Sequence, residues 1–356
     1  MSAGLAVENI ALSLGAFRLT RLSFAVDPGE ILVILGPNGA GKSVSLETIA
    51  GFHRPEAGRI FIGGRDVTSL APEHRKVGLL FQDFGLFPHL TVAQNVAFGL
   101  DSHLRNGREV AELLAAFAIT HLAARDPGDL SPGEKQRVAL ARALVRQPDL
   151  FLFDEPFSAL DARTRDQLRD ELHEFLHARD IPAVFVTHDR EDALTLADKI
   201  LVMRAGNVVQ SGTPDEIFRT PADRFVAEFV GVENLLAGTC AARKNGLLGV
   251  AIGCRTLYSA SKGADAGAVR VCIRAEDISL WPPGGAPASA RQENRLSARL
   301  LGTKSLGVLS RVELDCGFRL NALVMTRQLR DMQLASDTAV DIAIDAASVH
   351  LLPEEA

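Results

Sequence analysis

The chain has 356 residues, 47% of them hydrophobic, and a formal net charge of −6; it is too long for one ordinary domain, and too acidic overall for nucleic acid to be its main partner. No apolar run approaches the ~18 residues that span a bilayer and the N-terminus lacks a charged-then-apolar leader, so work at a membrane is expected through a partner. Cys240, Cys254, Cys272 and Cys316 form no CxxC pair, which argues against a zinc site or a secreted disulfide framework and fits a reducing cytoplasm.

In chain order, the alternating segments between Leu5 and Val26 predict two antiparallel strands. Phe17, the only aromatic residue at their junction, is placed either to stack on an adenine ring or to serve as a half-buried strand residue. Ile31 to Leu35 (ILVIL) reads as a buried parallel strand that runs into Gly36-Pro37-Asn38-Gly39-Ala40-Gly41-Lys42-Ser43, a match to the phosphate-loop pattern GxxxxGK[ST]. Gly36, Gly39 and Gly41 would supply permissive φ angles and bare backbone for a polyphosphate. Lys42 would reach the β- and γ-phosphates, the Ser43 hydroxyl would bind Mg²⁺, and the helix after them, ending at Gly51, would add the positive end of its dipole.

Gly58 to Thr68 reads as a hairpin turning at Gly63-Gly64. Val77 to Phe81 is another short buried strand that delivers Gln82 at its end, either to bind Mg²⁺ or to hold the attacking water. Around Pro88, the residues Phe84, Leu86, Phe87 and Leu90 crowd into a patch that is local core or a docking surface. Glu109 to Thr120 and Lys135 to Arg146 have helical spacing. Between them, Leu130-Ser131-Pro132-Gly133-Glu134 offers an N-cap serine and an N1 proline, a helix start that would be a second anion-binding N-terminus, with Glu134 favouring its positive end.

Leu150 to Phe153 is an apolar strand ending in Asp154-Glu155. Two carboxylates at the tip of a buried strand are costly unless a Mg²⁺-nucleotide needs them. Asp154 would hold the metal directly or through water, and Glu155 would polarise the water that attacks the γ-phosphate. Ala183 to Thr187 delivers His188 at a third strand end, placed to donate to the γ-phosphate. After a strand at Lys199 to Met203 and a turn at Gly206-Asn207, a short helix between Arg224 and Asn234 is expected to close a first domain of residues 1–232. From Leu235 onward, short alternating strands split by glycines and by the linker Pro282 to Pro287 predict a small all-β barrel, residues 233–356. From Glu233 on, 14 Lys and Arg stand against 13 Asp and Glu, without the basic stripe of a nucleic-acid-binding barrel.

Taken in order, GPNGAGKS at 36, Gln82, LSPGE at 130, FLFDEP at 151, SALD at 158 and THD at 187 resemble the Walker A, Q-loop, signature, Walker B, D-loop and H-loop of ABC-type ATPases, over roughly residues 5–230. The resemblance implies an α/β P-loop NTPase with a helical subdomain at about 84–147 that uses ATP and Mg²⁺. It also implies a homodimer in which ATP on one subunit is closed over by the partner's signature helix. Ser131 and Gly133 would then bind the partner's γ-phosphate, and Asp161 would link the two sites. Two departures stand out. Pro132 replaces the first glycine of the signature, and Val44 replaces the usual threonine after GKS, leaving only its backbone N–H for the α-phosphate.

FPHLTVAQNVAFGL resembles the surface that receives coupling helices of importer membrane subunits. The C-terminal region resembles the OB-like TOBE or Mop-like barrel of importer ATPases. SAR followed by Asn294, LDCG and ASVHLL are most like molybdate or tungstate importers, although sulfate, ferric iron and polyamine importers share most of these features. This second likeness implies an ATPase subunit, peripheral on the cytoplasmic face of the inner membrane, that powers import with two integral-membrane permease subunits and a periplasmic or extracellular binding protein. In the barrel, Ala288 to Leu301 with Lys304 and Ser305 would enclose a tetrahedral oxyanion, Arg291 or Lys304 offsetting its charge. A soluble ABC ATPase of DNA repair or translation would instead need a coiled-coil insertion, zinc cysteines or a second cassette, and the sequence contains none.

Overall fold

The computed structural model describes residues 3–81, 84–100, 107–158, 160–261, 267–286, 293–334 and 337–354. The chain divides into two compact units after Pro214.

In the first unit, β1 (Leu5–Leu14) and β2 (Phe17–Val26) pair as an antiparallel ribbon. The five-residue β3 (Ile31–Leu35) is buried throughout and leads into α1 (Lys42–Ala50). Next, β4 (Ala57–Ile62) and β5 (Arg65–Asp66) form the expected hairpin, with φ of 56° and 78° at Gly63 and Gly64. Then come β6 (Val77–Leu80) and three helices, α2 (Val92–Ala97), α3 (Arg108–Ala116) and α4 (Pro132–Leu144). The unit continues through β7 (Leu150–Asp154), α5 (Ala162–His177), β8 (Ala183–Thr187), α6 (Arg190–Leu196), β9 (Lys199–Arg204) and β10 (Asn207–Gly212). Helix α3 stops before the expected Thr120 because Ala118 adopts a left-handed φ of 53°, which lets Phe117 and Ile119 turn into the core.

One sheet has the order β2-β1-β4-β5, the other β10-β9-β3-β8-β7-β6. The second is parallel apart from β10 at its edge. Leu35 stands opposite Thr187 and Asp154 opposite Val186, so three carboxyl-terminal strand ends finish level and deliver Gly36, Glu155 and His188 to one edge. Helix α1 is fixed from its far end by Arg75. This buried guanidinium donates to Thr48 O and Ile49 O, the last carbonyls of α1, and to Thr68 O and Leu70 O in the adjoining turn.

The second unit starts with α7 (Pro214–Arg219) and α8 (Arg224–Phe229). These helices fall in the same compact unit as the C-terminal sheets, the division between the units coming after Pro214. The reason is polar as well as apolar: His350 bonds to Pro221 O at 2.9 Å, and Arg274 donates to Phe218 O at 3.2 Å. The strands are β11 (Asn234–Lys244), β12 (Leu247–Ile252), β13 (Arg255–Ser259), β14 (Ala268–Ile273), β15 (Ile278–Trp281), β16 (Asn294–Ser305), β17 (Leu309–Asp315), β18 (Arg319–Met325), β19 (Ala339–Ile344) and β20 (His350–Pro353), with α9 (Thr326–Asp331) before β19.

They form two five-stranded antiparallel sheets around one core, ordered β13-β12-β11-β14-β20 and β18-β17-β16-β19-β15. The arrangement is a tandem repeat: β11 to β15 match β16 to β20 in order, and the fifth strand of each set crosses into the other's sheet. The sequence echoes it, with Glu233-Asn234 against Glu293-Asn294 and AVRVCIRA (268–275) against AVDIAIDA (339–346). The two repeated asparagines are buried reciprocal staples. Asn234 accepts from Asn321 N and donates to Asn321 O, and Asn294 does the same with Tyr258.

Burial holds the His350 imidazole below its usual pKa of 6.5, partly offset by its bond to Pro221. The unfolded chain therefore binds the proton more readily, and stability held above pH 6.5 is lost as pH falls below that value. Trp281 is the chain's single tryptophan and sits in β15, so its fluorescence reports this unit. The Trp281 melting midpoint is expected to fall by at least ~2 °C between pH 7.5 and 5.5 in the native chain, and by much less in His350→Gln. Equal pH dependence in the two would show that another group controls it; Asp277, whose carboxyl burial pushes upward, contributes with the opposite sign.

Candidate functional site

The phosphate loop is shaped by what surrounds it. A side chain at Gly36 would place a Cβ 2.5 Å from Met203 O, so here glycine answers a close backbone approach rather than an unusual φ. Gly39 and Gly41 have φ of 79° and 102°, and a Cβ on Gly41 would lie 2.4 Å from the Phe17 ring. Phe17 thus packs on the loop itself, at the start of β2. Lys42 folds back over the loop and donates to Gly36 O at 2.9 Å and Pro37 O at 3.2 Å. Burial lowers its pKa, opposed by the nearby Glu155 and Asp154 carboxylates. Asn38 is exposed, Ala40 is buried, and Val44 packs partly against the core.

Asp154 ends β7 and accepts from Ser43 Oγ at 3.1 Å. Burial pushes its carboxyl above the usual range, opposed first by that hydrogen bond. Glu155 follows with a left-handed φ of 46° while its N–H donates to Val186 O. A glutamate held in that region carries strain that its surroundings must overcome. Its Oε1 lies 2.8 Å from His188 Nδ1.

Behind the pair is a cavity of about 100 Å³ lined by Glu155, Ser158, Arg165, Thr187, His188, Asp189 and Asp192. Asp189 caps α6 and takes a 2.9 Å bond from Arg165, and one turn on, Arg169 donates to Asp192 at 2.9 Å. The segment bearing His188 is therefore anchored to α5 by two ion pairs. Sequence reasoning misses these arginines, because their i, i+4 spacing on an amphipathic helix reads as solvated surface and only the fold brings α6 beside them.

Helix α4 starts as predicted. Ser131 is the N-cap, Pro132 occupies the first turn, and a capping box joins Ser131 to Glu134. Ser131 N and Oγ both donate to Glu134 Oε2, at 2.8 and 2.7 Å, and this pulls the Glu134 carboxyl below its usual pKa. The chain's own carboxylate thus takes the N–H and hydroxyl of the N-cap residue. Asp161 caps α5 and accepts from Thr164 N and Oγ1. The two caps are neighbours, since a Cβ on Gly133 would lie 2.7 Å from Thr164 Cγ2.

Gln82 lies outside the described residues, as do Ala159 and the stretch 287–292 that contains Arg291; Lys304 and Ser305 are exposed at the end of β16. The aromatic patch is displaced from its predicted members. Phe84, Leu86, Phe87 and Leu90 are half-buried, whereas Phe52, Phe81 and Phe98 stand 52%, 44% and 47% exposed. Phe52 pairs with Phe81 and Phe87 with Phe98. Arg142 of α4 donates to Phe84 O and Gly85 O, tying that loop to the helix.

The sequence profile of the ABC transporter family matches residues 19–158. A sulfate/thiosulfate import ATP-binding protein, CysA 2 of Chromobacterium violaceum, is 41% identical over all of this chain and 97% of its own length. A molybdate/tungstate import ATP-binding protein, WtpC of Pyrococcus abyssi, is 38% identical over 97% of this chain and 99% of its own, and an Fe(3+) ions import ATP-binding protein, FbpC of Brucella abortus, is 39% identical over 78% and 80%. Among solved structures, an ATP-binding cassette captured as a post-hydrolysis dimer with ADP and Pi superposes with a TM-score of 0.53 at 27% identity, covering 59% of this chain and 98% of that one. The cbiO1 part of the cbiONQ ABC transporter complex of Clostridium perfringens gives 0.57 at 28%, covering 65% and 96%. With a P-loop sheet edge of this composition and relatives that align over its whole length, the chain belongs to the ABC transporter family as an ATP-hydrolysing, ATP-binding subunit of the importer type.

Proposed function

We propose that this subunit powers import of a tetrahedral oxyanion, molybdate or tungstate, as a homodimer docked on two integral-membrane permease subunits fed by an external binding protein. The observation that carries the catalytic half is the Glu155–His188 bond beside the Asp154–Ser43 bond at one sheet edge. The loop from Gly36 to Val44 wraps the phosphates of ATP, with Lys42 exchanging its contacts with Gly36 O and Pro37 O for phosphate oxygens. Phe17, already packed on Gly41, takes the adenine ring. Ser43 and Asp154 suit a hard cation that keeps most of its ligands from water and phosphate. With Gln82 they would hold Mg²⁺, which would supply neutralisation of the β- and γ-phosphate charge.

Glu155 accepts a proton from the attacking water. To bond both groups at once, His188 carries a proton on each ring nitrogen, Nδ1–H donating to that carboxylate and Nε2–H to the γ-phosphate. The partner's Ser131 and Gly133 complete the site, and Asp161 links the two. No described helix is long and apolar enough to cross a membrane, which accords with a peripheral subunit at the cytoplasmic face; the exposed phenylalanines are the docking surface for the permease.

For the cargo, the relatives name sulfate, molybdate/tungstate and ferric iron at similar identity. The C-terminal sequence motifs and the two-repeat unit, read as TOBE- or Mop-like, favour molybdate or tungstate, with an oxyanion site near Lys304 and Ser305 and Arg291 among the residues not described. Asn294, one of those motif residues, is occupied as a staple to Tyr258 and adds no weight. The transporter reconstituted with its permease and binding protein in liposomes tests the reading: molybdate or tungstate should raise ATP hydrolysis and be taken up, with sulfate and Fe³⁺ at least about tenfold less effective. A preference for sulfate or iron would replace the cargo and leave the ATPase assignment intact.

Glu155→Gln is expected to bind ATP normally, hydrolyse it at least about a hundredfold more slowly, and accumulate the ATP-bound dimer. Turnover near the native rate would remove Glu155 from the role of base. Glu134→Gln should preserve the capping box while withdrawing a negative charge from a phosphate-binding helix end, lowering the ATP concentration for half-maximal rate about two- to fivefold, most at low salt. Ser131→Arg should abolish hydrolysis, and an active Ser131→Arg enzyme would refute the shared site.

A further inference from the structure

We infer that Arg137 and Glu171 form a latch that fixes the signature helix α4 on the D-loop helix α5, so that both elements meet the partner subunit as one preset surface. The inference rests on the shared-site reading above.

The bond is a two-point fork: Arg137 Nη1 donates to Glu171 Oε2 and Nη2 donates to Oε1 at 3.1 Å. Its partners are further constrained. Arg137 Nη1 also reaches Phe117 O, and Gln167 Nε2 donates to Glu171 Oε1 at 2.9 Å. The Arg137 side chain is 14% exposed and that of Glu171 37%, so the fork is shielded on the guanidinium side and open on the carboxylate side, and its two-point geometry rather than its burial sets it apart from ordinary surface pairs.

Its position gives the pair a task. Arg137 is one helical turn beyond Gly133, and Gly133 already packs against Thr164, two turns before Glu171 on α5. Packing at one point and a planar fork at another fix both the separation and the twist of two rods, which neither contact does alone. The two rods are separated in the chain by a strand of the parallel sheet: α4 lies between β6 and β7, α5 between β7 and β8. The N-termini they present carry Ser131 and Gly133 on α4, assigned to the partner's γ-phosphate, and Asp161 on α5, assigned to linking the two sites. A phosphate contact shifted by about 1 Å loses most of its value, so the angle between α4 and α5 controls closure. Arg137 and Glu171 are positioning residues: on this reading they touch no nucleotide.

The test uses the full chain carrying Glu155→Gln, with light scattering to follow ATP-driven dimer formation and a fluorescent ATP analogue to measure binding to the monomer. In Arg137→Ala and in Glu171→Gln, ATP binding to the monomer should stay within about twofold while the dimer dissociation constant rises about tenfold or more. The double variant should be no worse than either single one, and Arg137→Lys, which keeps the charge but loses the fork, should fall between. Unchanged dimerisation in Arg137→Ala and Glu171→Gln, additive losses in the double variant, or a loss of monomer ATP binding equal to the loss of dimer would each overturn the latch. If the parent Glu155→Gln chain fails to dimerise with ATP, the shared-site reading falls and the latch falls with it.

Discussion

The constraint on which the first unit depends is that charge must be kept at a sheet edge that would rather exclude it. Lys42 and Asp154 are both partly withdrawn from water, and burial pushes each toward its neutral form. Local bonds keep the site assembled: two loop carbonyls on Lys42, the Ser43 hydroxyl on Asp154 and His188 on Glu155. Each of these bonds is also one that a phosphate, a cation or a water would take over on the proposed reading. The resting site is therefore satisfied by its own atoms, at the cost of contacts that must be exchanged when ATP arrives.

Around that edge, the supporting structure is a set of arginines that sequence patterning does not single out. Arg75 closes the far end of α1 with four carbonyl contacts, Arg142 ties the loop after β6 to α4, Arg165 and Arg169 hold α6, and Arg137 holds α4 to α5. A guanidinium suits these junctions because its planar donors bond several acceptors in fixed directions and it stays ionised when partly buried. The second unit solves its junction differently. It repeats one five-strand set, exchanges the last strand, and satisfies the buried edges with Asn234 and Asn294, so neither set of strands completes its own sheet.

How much of this the sequence discloses depends on the range of the interactions. Buried strands such as Ile31–Leu35 and Ala183–Thr187, and the glycine loop between strand and helix, are legible because they are local: apolar runs, φ demands and cap residues within a few positions. The capping box at Ser131 and the hairpin at Gly63-Gly64 are legible for the same reason. Three features are not. The left-handed Ala118 that ends α3 has no residue signature. The grouping of α7 and α8 with the C-terminal sheets depends on His350 and Arg274, far along the chain. The strand exchange depends on which of two similar strands each edge receives, although the repeat from Glu233 and Glu293 is visible in the sequence. Gly36 is expected from the loop pattern for its φ and its bare backbone toward a polyphosphate, whereas the fold needs the bare backbone for room beneath Met203 O.

Two residues of the signature segment then take on a common meaning. Proline at 132 removes a backbone donor from the first turn of α4, and Glu134 spends the Ser131 hydroxyl and its N–H on a carboxylate. Both stabilise the helix start in the isolated subunit, where its unpaired N–H groups would otherwise face water. On the proposed reading both also weaken that helix end as a phosphate receptor, because the hydroxyl would have to leave Glu134 before reaching a γ-phosphate, and the carboxylate would remain nearby with the wrong sign. On the same reading, a signature helix that is well capped alone makes closure on ATP less favourable by itself, so a larger share of the driving force would come from contacts elsewhere, and a permease docked on the exposed phenylalanines, as proposed, would link hydrolysis to the presence of cargo.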